Sequence, residues 1–129
     1  MRPRFDQQLE ELNLELIKMG SLCERGIRKA VDLLMEEKTN ADIKDVDMIE
    51  EEINQKERDI ESLCMRLLLQ QQPVATALRN ISSALTMISA MVRIGDQAQD
   101  IANMANFCKV QEIAHKINIG ELEGPDIMM

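Results

Sequence analysis

Arg93-Ile94-Gly95-Asp96-Gln97-Ala98-Gln99-Asp100-Ile101-Ala102 sits in the middle of the longest helical pattern in the chain. Upstream of it, Leu78, Ile81, Leu85, Ile88 and Val92 recur at steps of three and four, the period of a helix face turned toward a core. The next steps of four land on Asp96 and Asp100, so two carboxylates follow an apolar stripe one helical turn apart. Ile101, Ala105 and Cys108 then restore an apolar face. No stop signal intervenes between Pro73 and about Asn118, which predicts a single helix of ~45 residues, roughly 65–70 Å long at 1.5 Å per residue. Gly120 suits its end, 119–125 reads as a turn, and Asp126 opens what looks like the start of a fourth helix.

A helix of that length needs partners, and the chain supplies two. From about Arg4 to Glu37, Phe5, Leu9, Leu12, Leu16, Met19, Cys23, Ile27, Ala30 and Leu34 make one stripe. Gly20 and Gly26 within it each cost about 1 kcal/mol relative to alanine, which predicts close helix–helix packing at both. Thr39-Asn40-Ala41-Asp42 breaks the rhythm and offers caps for a second helix over 41–70. That helix carries Val46, Glu50, Ile53, Glu57, Ile60, Cys64 and Leu67 on its stripe. Gln70-Gln71-Gln72-Pro73 ends it, because the residue before proline is driven out of the α region. The reading is an all-α fold, an up-down-up three-helix bundle of long antiparallel helices at about 4–37, 41–70 and 73–118, forming one domain over 1–129.

Composition agrees. Aromatic residues make up 2% and there are only five glycines and three prolines, too few for the strands and turns of a sheet protein. The formal charge of −8, with no basic block, excludes a nucleic-acid binder that gains its affinity from phosphates. No apolar run approaches the ~20 residues of a membrane span. The polar start at Met1-Arg2-Pro3-Arg4 lacks the apolar centre of a signal peptide, which predicts a cytoplasmic protein without direct membrane insertion. Cys23, Cys64 and Cys108 fall on apolar helical positions and read as reduced core thiols.

No P-loop, dinucleotide turn or nucleophile elbow is present, and His115 is the only histidine. Glu112-Ile113-Ala114-His115 matches the Glu-x-x-His of di-iron bundles, which require two such motifs from two helices. The remaining chemistry is acidic. Glu50 and Glu57 occupy stripe positions where a bundle places Leu or Ile, with Asn54 beside them as a neutral oxygen donor, and Asp96 and Asp100 continue the stripe of the third helix. A buried carboxylate is costly without a counter-charge. Three arrangements resolve the cost: a drifted, solvated stripe; ion pairs with Arg79 and Arg93; or a metal site, where oxygen donors suit magnesium, calcium or manganese and carboxylate clusters also hold iron.

Taken together, Gln72-Pro73-Val74-Ala75-Thr76-Ala77-Leu78-Arg79, Arg93-Ile94-Gly95-Asp96, Phe5…Leu9…Met19-Gly20 and Glu50…Asn54…Glu57…Cys64 resemble the PhoU phosphate-uptake regulators in order and spacing. The resemblance implies a three-helix repeat, usually present twice in tandem, of which this chain carries the first. It implies a non-enzymatic adaptor that contacts a phosphate ABC transporter and its sensor histidine kinase. It also implies a possible iron or zinc cluster on a Glu/Asp-x-x-x-Asp motif. Here Val92 and Ala77 stand where that family has acids, so Glu50, Glu57 and Asp96 are carried over as ligands in an incomplete motif, and Asp100 is added from its spacing. A lone repeat leaves exposed the surface on which a second normally packs, which predicts a homo-oligomer.

Overall fold

The computed structural model describes residues 3–35, 43–70 and 74–122. Three α-helices make up the fold: α1 (Pro3–Leu34), α2 (Ile43–Gln70) and α3 (Ala75–Leu122). Each packs against both of the others. Their register follows from individual contacts. Lys56 of α2 reaches Glu15 of α1, and Ile49 lies over Gly26, so α1 and α2 run antiparallel. Ile53 lies over Gly95 and Gln99 bonds Asp47, so α2 and α3 are antiparallel as well. Cys23 donates its thiol to the Met91 carbonyl, 3.3 Å away, and α1 and α3 therefore run side by side in the same direction.

The helices form where propensity and pattern agree. Leu, Met, Glu, Gln, Arg and Ala fill them; Gly26 and Gly95 lie at close helix crossings, whereas at Gly20, where the sequence predicts one too, a β-carbon would meet nothing within 4 Å. The main core gathers Leu12, Met19, Ile53, Ile60, Leu63, Leu67, Ile81 and Ile88. A smaller cluster at the other end, built from Ala30, Leu33, Val46, Ala98, Ala102 and Ala105, is filled with short side chains.

Several boundaries and faces differ from those the sequence predicts. The first helix ends at Leu34, not Glu37, with the Met35 amide bonding the Val31 carbonyl at 2.8 Å. The second begins at Ile43, and the cap expected at 39–42 lies outside the described residues. The third begins at Ala75, because Val74 stays non-helical while its carbonyl accepts the first bond, from Leu78 at 3.0 Å. At the far end the helix runs through Gly120 to Leu122, so the turn does not start at 119. The fourth helix expected at Asp126 lies outside the described residues.

The stripes also shift by one position. On α1 the buried residues beyond Cys23 are Gly26, Ala30 and Leu33, while Ile27 and Leu34 are exposed. On α3 the buried face is Ala77, Ile81, Ala84, Ile88, Gly95, Ala98, Ala102 and Ala105, and Leu78 is exposed. Cys23 and Cys64 are core thiols, but Cys108 is exposed, three residues beyond the last buried alanine of this face. No helix among the described residues is long and apolar enough to cross a membrane.

Candidate functional site

Gly95 sets the distance between α2 and α3. A β-carbon placed on it would stand 3.0 Å from Ile53 Cδ1, closer than most packed side chains tolerate. The close approach brings the next residues on both helices into register: Glu50, one turn before Ile53, meets Asp96, which follows Gly95. Here the predicted acid pair of α3 and the stripe glutamate of α2 come together.

Glu50 is only 7% exposed and is the one buried charged side chain among the described residues. Burial, first of all, lifts its acidity constant from the usual 4.5 to about 7. A hydrogen bond with Asp96, in which a protonated Glu50 donates, pushes in the same direction, and so do the negative charges of Asp96, Asp47 and Asp100. Near neutral pH the Glu50 carboxyl is therefore close to half protonated, with its proton shared toward Asp96.

The surroundings are polar. Asp47, Glu50, Glu51, Asn54 and Gln99 line an open groove between the two helices. The Gln99 amide donates to Asp47 at 2.7 Å and fixes one wall of it. Asp96 and Asp100 are themselves exposed, because the buried face of α3 passes through Gly95, Ala98 and Ala102, one position earlier. Asn54 is half-buried.

Glu57 does not join this group. It is half-buried two turns farther along α2, about 10 Å from Glu50 along the axis, and is not among the charges acting on Glu50. Nor do the arginines neutralise the acids. Arg79 and Arg93 are both exposed, and the ion pairs formed among the described residues are instead Lys18–Glu15, Lys56–Glu15 and Arg28–Glu24. Arg79 stands 17 positions before Asp96 on the same helix, roughly 25 Å away, so it cannot reach. Among the described residues, then, no ion pair of Arg79 or Arg93 with these acids is formed.

Asp47, Glu51 and Gln99 are site residues that the sequence reading omits. Asp47 precedes Glu50 by three positions and Gln99 follows Asp96 by three, so both lie on the faces already identified. A search one turn to either side of each stripe acid finds them.

As a donor set, these are hard carboxylate and amide oxygens. Among the described residues no three acid, cysteine or histidine side chains converge as the ligands of one ion. Zinc sites call for three or four protein ligands, usually nitrogen or sulfur. A pair of carboxylates with neighbouring amides fits better with a hydrated ion such as Mg²⁺, which keeps several waters and takes one or two carboxylates.

Comparison with known proteins identifies the family of the chain. The profile of the PhoU domain matches residues 16–105. A "phosphate-specific transport system accessory protein PhoU homolog" of Pseudomonas putida is 38% identical over 102 residues, covering 79% of this chain and 40% of the relative. Its counterpart in Clostridium acetobutylicum is 37% identical over 103 residues, covering 78% and 46%. That in Streptococcus pneumoniae is 32% identical over 115 residues, covering 88% and 52%. The crystal structure of PhoU from Pseudomonas aeruginosa superposes with a TM-score of 0.73 at 36% identity, covering 78% of this chain and 48% of that one. The chain thus spans about half the length of the curated relatives it matches.

Proposed function

From the premise that this chain belongs to the PhoU family, we propose that it is a non-enzymatic regulatory adaptor of phosphate transport and phosphate-responsive signalling, acting in the cytoplasm through protein–protein contacts. The observation that carries this reading is the match of its helical core, residues 16–105, to a family whose relatives are named as accessory proteins of a phosphate-specific transport system. Its partners in this reading are the phosphate ABC transporter and the associated sensor histidine kinase. The helical bundle suits such work: long, rigid faces present contact surface while the core stays closed. Single-domain organisation over 1–129 and self-association belong to the same proposal, since large apolar residues including Ile17, Met104 and Phe107 stand exposed.

The test is direct binding. Purified transporter from the same organism, in nanodiscs, is immobilised and exposed to the 129-residue chain. Saturable binding that a charge-matched unrelated helical bundle does not reproduce supports the adaptor. Absence of binding with and without phosphate and nucleotide sinks it.

The Glu50 groove favours a second reading, a divalent cation held by Glu50 and Asp96 with Asp47 and Asp100 close by. A cation relieves the repulsion that otherwise keeps Glu50 half protonated. The hard oxygens favour magnesium or manganese over iron or zinc. Melting curves with millimolar Mg²⁺ or Mn²⁺ and with chelator decide it: a shift that E50Q/D96N abolishes supports the site, and identical curves for the native chain reject it.

A further inference from the structure

We draw no further inference here: the strongest candidate, the exposed stripe of Ile17, Ile27 and Val31 on the outer face of α1, is an unpartnered helix face, and nothing in the structure shows what covers it.

Discussion

At Glu50 burial and neighbouring charge act in the same direction, and the consequence for stability has a definite sign. The folded state holds this proton more tightly than the unfolded state, with an acidity constant of about 7 against 4.5. Between those values the unfolded chain binds fewer protons, so stability falls as pH rises from 4.5 to about 7 and is flat above it. The size of the loss is on the order of 3 kcal/mol. Glu50→Gln keeps the hydrogen-bonding shape without the charge. Its melting temperature should exceed the native value at pH 8 and match it near pH 4, as measured by thermal unfolding in low-salt buffer.

Glu15 behaves in the opposite way. The hydrogen bond from Lys56 outweighs its burial and holds its acidity constant below 4.5. The stability it contributes is present above that value and is lost as pH falls through its folded-state value. Glu15→Gln should therefore cost on the order of 1 kcal/mol at pH 7 and little in strong acid. Urea unfolding at the two pH values checks this. The glycines divide similarly: Gly20→Ala should gain up to about 1 kcal/mol for the monomer, and Gly95→Ala should lose that gain against Ile53.

The third helix shows how an element's face differs from its most hydrophobic face. Read by hydropathy, Leu78, Leu85, Val92 and then the two aspartates lie in one line. In the bundle the line runs one position earlier, through Ala77, Ala84, Gly95, Ala98, Ala102 and Ala105. Small residues let three helices meet closely, and periodicity in large apolar residues does not register them. The same effect moves Ile27 and Leu34 to the surface of α1, where Gly26, Ala30 and Leu33 do the packing. Element number, order and approximate length were legible because stop signals at 37–42 and at Pro73 are chemically strong. Glu50 and Asp96 were legible only as acids on the stripes of their own helices, and Asp47 and Gln99 only as residues one turn from those acids; that they meet follows from the register that Gly95 sets. Ala102→Leu tests the small-residue seam. Overpacking at that fully buried position should cost about 1–3 kcal/mol, whereas Met104→Leu on the exposed side should be neutral in chemical denaturation.

For the whole molecule, the fold and family are secure on sequence and superposition together, and the chain corresponds to about half of each relative. Around its closed core, large apolar side chains including Ile17, Met104 and Phe107 stand exposed. Its acid groove lies on the α2–α3 side, and the exposed residues Ile17, Ile27 and Val31 of α1 face away from both helices. The regulatory reading is tested most directly by phosphate uptake itself. In cells lacking their own accessory protein of the phosphate-specific transporter, expression of this chain should lower radiolabelled phosphate uptake under phosphate-replete conditions. Uptake unchanged in cells that contain folded chain would contradict the account.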